Sequence, residues 1–252
     1  MKRLLAVAVA FFLVVVFLMS SALAGEKEEG WKPTAEVSVG IHSGQVGGSG
    51  ALFYDKAVSN QVVTLGLDKS GTGFYLQAEN FAPLEKEESR ETDFYLGFYT
   101  EVAGMKFDVG YARYWVRETD ELDYHAVYAA IDFPEIGWKI IPFVKAEYDF
   151  TAKNFPESMD GFMYRGGLKR EFQLHERVSL LAEVSIGGNT GIYGLPAENL
   201  AFAREKVEVS FSLAERWKLK IAGLTQQNLG KRYGIAADTD RLFVSAAVVW
   251  TF

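Results

Sequence analysis

From Arg241 to Phe252 the chain reads RLFVSAAVVWTF, and the period of that stretch leaves one backbone conformation for it. Leu242, Val244, Ala246, Val248, Trp250 and Phe252 fall at every second position. They share a face only in a β-strand, where successive side chains point to opposite sides. A helix would scatter them around its circumference. The strand runs to the last residue of the sequence, so no cap, linker or tail is expected after it.

The same two-residue period recurs along most of the chain. It predicts strands near 34–42, 61–68, 73–81, 93–102, 105–116, 123–133, 138–150, 161–172, 178–187, 202–213, 217–226 and 241–252. The connections alternate in length. Asp68 to Thr72, Ala103-Gly104, Pro134 to Gly137, Leu174 to Arg177 and Ala214 to Arg216 are tight turns, and longer stretches separate the other pairs. Short turns at one end and long loops at the other are what an up-and-down barrel produces when it crosses a membrane with both termini on one side. The expected fold is therefore all-β, a transmembrane antiparallel barrel of about twelve strands.

Alternation alone does not say which face looks outward, because a soluble barrel buries its apolar face. Twelve strands, however, enclose more space than side chains fill. The candidate outer face also stays apolar over a membrane's depth: Phe94, Leu96 and Phe98; Phe107, Val109 and Tyr111; Trp138, Ile140, Val144 and Tyr148; Val178, Leu180, Ala182, Val184 and Ile186. Aromatics gather at strand ends, with Trp138, Trp217 and Trp250 toward the turns and Trp115, Phe150 and Phe162 toward the loops. Lipid headgroups favour two such girdles.

The opposite parity points inward and is polar. The expected pore-lining residues are Tyr75, Gln77, Asp108, Tyr114, Tyr128, Lys145, Glu147, Arg165, Glu183, Glu208 and Lys220. Lys139 and Ser185 share that parity, and Ser185 is expected to enter a wet lumen that tolerates arginine there. Charges cannot stay bare in an apolar interior, so this lumen holds water, paired ions or both. The early strands supply acids, among them Glu36, Asp68, Glu79 and Asp93, while Lys145, Arg165, Lys169, Lys206 and Lys220 come from later ones. Either a field crosses the lumen, or Lys145, Glu147, Arg165, Glu171, Glu183 and Glu208 pair across neighbouring strands and plug a narrow barrel.

At the other end, Lys2 and Arg3 precede a run without charges from Leu4 to Met19, followed by Ala22-Leu23-Ala24. That is the layout of a secretory signal peptide cleaved after a small-x-small site. Residues 1–24 are expected to be the signal, 25–33 a periplasmic extension and 34–252 the barrel. Removing the signal takes two of the 26 basic residues and none of the 33 acidic ones, which leaves a net charge of −9. Nucleic acid is therefore no expected partner, since such binding needs a basic footprint. There is no cysteine, which excludes disulfides and a lipid anchor on cysteine.

Two resemblances follow from these residues. The terminal strand with Trp250 and Phe252 resembles the closing strand of bacterial outer-membrane barrels, which implies that these aromatics serve as an insertion signal read by the barrel assembly machinery. The segments GFYLQAENF (73–81), DFYLGFY (93–99), FDVGYARYW (107–115) and YHAVYAAIDF (124–133) resemble the TorF-type porin family of small Gram-negative outer-membrane proteins. The family's first-hairpin motif is absent, and Gly40-Ile-His-Ser-Gly44 stands in its place. The resemblance implies an outer-membrane porin with no catalytic residues to carry over.

Catalysis finds little support. An acyl-transfer site needs a serine within reach of a histidine, and the three histidines do not supply one. His175 falls in a turn, His125 has no serine on either neighbouring strand, and His42 and Ser43 point to opposite faces. No two histidines stand at metal-ligand spacing, and no cofactor is expected. The glycine-rich runs at 44–50 and 187–194 lead into no helix, so they are expected to be loops rather than phosphate cradles. Acidic residues at Glu85, Glu87, Glu88 and Glu91, and at Glu118, Asp120, Glu121 and Asp123, are expected to be solvated loops, with a divalent cation bridged to lipopolysaccharide as the alternative.

The function expected from these readings is a channel for passive diffusion of small hydrophilic solutes. The alternative is a non-conducting structural barrel whose surface binds lipopolysaccharide or a cell-surface partner. Outer-membrane lipid, lipopolysaccharide and such solutes are the expected partners, and a homo-oligomer is compatible with the pattern.

Overall fold

The structure is a computed structural model that describes residues 30–46, 52–54, 56–84, 90–116, 123–151, 160–191, 197–229 and 241–251. The expected signal peptide, the acidic residues 85–88 and 118–121, and Phe252 lie outside the described residues.

Twelve antiparallel strands close into one barrel. They are β1 (Lys32–His42), β4 (Val58–Lys69), β5 (Thr72–Pro83), β6 (Glu91–Val102), β7 (Met105–Val116), β8 (Tyr124–Asp132), β9 (Ile141–Thr151), β10 (Gly161–His175), β11 (Val178–Asn189), β12 (Glu198–Ala214), β13 (Trp217–Asn228) and β14 (Arg241–Thr251). Each pairs with its chain neighbour, and β1 closes the ring on β14 with Val39 opposite Val248. Closure leaves the barrel without an edge strand, so the ladders run around the whole wall, as lipid requires.

The long first connection, expected to be a loop, contains a separate two-stranded ribbon of β2 (Gln45–Val46) and β3 (Leu52–Tyr54). The first strand begins at Lys32, inside the stretch expected to be an extension.

The hairpins at one end are tight because their sequences admit left-handed backbone. Ser70-Gly71 and Ala103-Gly104 have positive φ at both residues, the conformation that matches the twist of the flanking strands. The turn between β8 and β9 corrects one expected boundary. Trp138 and Lys139 belong to a one-turn 3-10 helix (Gly137–Lys139) at φ 61° and 57°, closed by paired backbone bonds between Ile136 and Ile140. Positive φ is incompatible with an extended strand, so Lys139 stands on an exposed turn outside the lumen wall.

The apolar parity faces out. Leu65, Leu76, Leu96, Val144, Val184, Val207, Ile221 and Val248 are all exposed around the ring. Toward the short turns Trp217 and Trp250 stack at 5.7 Å across β13 and β14, and Trp138 is 82% exposed. Toward the long connections Tyr148 packs on Phe162 at 4.6 Å, and His125 stacks between Tyr111 and Phe150. A closed barrel with an apolar exterior between aromatic girdles is a transmembrane one.

Candidate functional site

The inward parity builds a lumen wall in which glycines and alanines decide where the large side chains lie. One register row runs Tyr75, Gly97, Gly110, Tyr128 across β5 to β8. With no side chain on the two middle strands, the rings of Tyr75 and Tyr128 lie flat across them. A Cβ on Gly97 would meet the Tyr75 ring at 2.3 Å, and one on Gly110 would meet the Tyr128 hydroxyl at 2.2 Å. Their hydroxyls join above the glycines at 2.7 Å. Tyr75 also contacts Asp108 Oδ1 at 3.0 Å. A carboxylate only accepts, so Tyr75 donates to Asp108 and Tyr128 donates to Tyr75.

Toward the long connections, Ala112 and Ala126 make room for Tyr114 and Tyr124, which stack at 4.2 Å with Tyr95 and Tyr128 packed against the cluster. Tyr114 donates to Glu147 Oε1 at 2.8 Å and Tyr95 to Asp93 Oδ2 at 3.3 Å. Nearer the short turns Tyr99 donates to Asp68 at 2.6 Å. Each of these carboxylates thus meets a phenol, a charge-assisted bond that helps it remain inside a wall.

The later strands carry the cations. Arg165 meets Glu183 at 3.1 Å, Lys169 meets Asp132 at 2.7 Å, and Glu208 sits between Lys206 at 2.8 Å and Lys220 at 3.7 Å. Arg204, buried on β12, donates to Gln226 at 2.7 Å. These contacts join strands no more than three apart, so they run along the wall.

Between the two walls lies a cavity of about 430 Å³. Of the expected pore-lining residues, Tyr75, Gln77, Asp108, Tyr114, Tyr128, Lys145, Glu147 and Arg165 line it. Glu183, Glu208 and Lys220 lie beyond it in the ion pairs just described. Asp93 and Arg204 line it too, from β6 and β12, which stand six strands apart either way around the ring. The cavity therefore extends from one side of the lumen to the other. Arg204 was missed in the sequence although its parity is shared with Lys206 and Glu208.

Two further expectations are corrected. Ser185 faces the lumen but is only 6% exposed, covered where Gly167 and Arg204 flank it in register. Gly188 and Asn189 of the glycine-rich run extend β11 two residues past its expected end at Gly187. A Cβ on Gly187 would come within 2.4 Å of the Phe202 ring, which lies across it. Among the described residues no group of three or more His, Cys, Asp or Glu is placed to hold a metal ion.

Solved structures resemble this fold. The NanC porin superposes with a TM-score of 0.55 at 8% identity, covering 86% of this chain and 98% of its own. The KdgM porin, solved in complex with disordered oligogalacturonate, gives 0.52 at 8% identity over 87% of this chain and 99% of its own. The translocator domain of the autotransporter NalP from Neisseria meningitidis gives 0.52 at 10% identity over 98% and 97%. No family model and no curated protein matches the sequence. What the likeness carries is the fold, a closed β-barrel of the outer-membrane type.

Proposed function

We propose that this chain is a passive channel of the bacterial outer membrane, admitting small hydrophilic solutes through a narrow polar lumen. The observation that carries this reading is the arrangement of the polar contacts around the central cavity. Tyr75 with Asp108 and Tyr114 with Glu147 each hold two cavity-lining side chains against the wall, and Glu183 holds Arg165 there, with about 430 Å³ between these lining residues. The fold shared with the KdgM and NanC porins supports the same reading, as does the resemblance of 73–133 to TorF-type porins. Lipopolysaccharide is the outer-leaflet lipid that would surround the exposed aromatics near the long connections.

The test is single-channel recording of the purified barrel in a planar bilayer. Discrete current steps in potassium chloride are expected, together with swelling of liposomes in isotonic sugar. A correctly folded barrel that gives neither is not a channel.

A further inference from the structure

On the channel reading, we propose that the lumen contains a docking site for a small organic carboxylate, with Lys145 and Arg165 as its anchor. The cavity's acids and cations are unequally engaged. Asp108 accepts from Tyr75, Glu147 from Tyr114, Asp93 from Tyr95 and Glu79 from Asn60. Lys145 lines the same cavity and is exposed to it, and among the described residues it makes no ion pair or hydrogen bond.

The neighbour of Lys145 sharpens the point. In the register of β9 and β10 it stands directly opposite Arg165, and like charges at directly opposed positions destabilise a sheet. Arg165 meets Glu183 through Nη1, and a guanidinium has five N–H donors in a fixed fork suited to a planar carboxylate. An anion between the two side chains relieves their repulsion, takes the ammonium's donors and shares the guanidinium. Tyr128 stands on β8, the strand next to Lys145 on β9, and opposes Glu147 one pair along on the same face, so a solute docked at Lys145 lies beside the Tyr75 and Tyr128 pair. A hydroxylated ring suits that surface, because phenols exchange hydrogen bonds with hydroxyls and their faces pack on the ring's C–H edges.

The experiment compares three probes that share one ring and differ in charge: glucuronate, glucose and glucosamine, with inorganic phosphate as a fourth. Each is added to the barrel conducting potassium chloride in a planar bilayer, and current block is read against concentration. Glucuronate is expected to block at the lowest concentration. Lys145→Met is expected to raise its half-blocking concentration about tenfold, the loss of one charge-assisted hydrogen bond, while leaving glucose unchanged. Equal block by the three sugars, or an unaltered response in Lys145→Met, overturns the proposal. Phosphate blocking as well as glucuronate overturns its carboxylate specificity. If the wild type conducts nothing, the channel reading fails separately. Docking is then measured by calorimetry on the folded barrel in detergent, where glucuronate binding that Lys145→Met abolishes supports the site and no binding overturns it.

Discussion

Tyr75 and Tyr128 stand three strands apart and still join their hydroxyls at 2.7 Å, because the two strands between them place Gly97 and Gly110 beneath the rings. The pair forms an arch on the wall, and both rings line the cavity.

That arch depends on an empty position. Gly97→Ala puts a Cβ where the Tyr75 ring lies, so the ring must swing into the lumen. Overpacking of this kind costs about 1–3 kcal/mol. Lower stability in urea unfolding from micelles and a smaller single-channel conductance are the expected results; an unchanged conductance would show that the arch does not set the bore.

The donor order makes the two tyrosines unequal. Tyr75→Phe removes the phenol donor of Asp108, and an acceptor left without its partner costs about 1–3 kcal/mol. Tyr128→Phe leaves Tyr75 donating to Asp108 and is expected to cost less. Equilibrium unfolding of both variants checks the order, and a larger loss for Tyr128→Phe would reverse it.

The lipid face is tested at Val184, which is 52% exposed on the outer wall. Val184→Arg is expected to cost about 2–4 kcal/mol if it lies near the bilayer midplane, measured by unfolding in lipid vesicles. Val184→Leu should be close to neutral. An Arg tolerated as well as Leu would place that position out of the hydrocarbon.

The ion pair of Arg165 and Glu183, partly buried at 3.1 Å, should respond to charge reversal in a defined way. Arg165→Glu alone sets two carboxylates together and lowers stability by about 1–3 kcal/mol, and Arg165→Glu with Glu183→Arg recovers most of it. The reversal potential in a salt gradient is expected to move toward cations in the single variant. That shift should shrink in 1 M salt, where screening shortens to about 3 Å.

Topology gives a last prediction. A tag inserted at Ser70, in a tight hairpin, and one inserted after Gly191, in a long connection, leave the barrel at opposite ends. Surface labelling of intact cells is expected for the second only.

Much of this architecture was legible in the sequence, because a period of two is a property of single residues. Strand number, the alternation of tight and long connections, and the outward set from Phe94 to Val248 all follow from which positions are apolar. The turn at Trp138 and Lys139 was misread as strand, since their apolar and basic character fits the alternation and only the backbone there, at positive φ, breaks it. The site itself depends on which residues lie opposite one another across strands. That Tyr75 falls on Gly97, Lys145 on Arg165 and Arg204 beside Ser185 is a matter of register, and a shift of two residues would keep every side chain on its face while changing every partner. Parity is local and can be read along one strand, whereas register is decided by the hydrogen-bonded ladder and the closure of the whole ring.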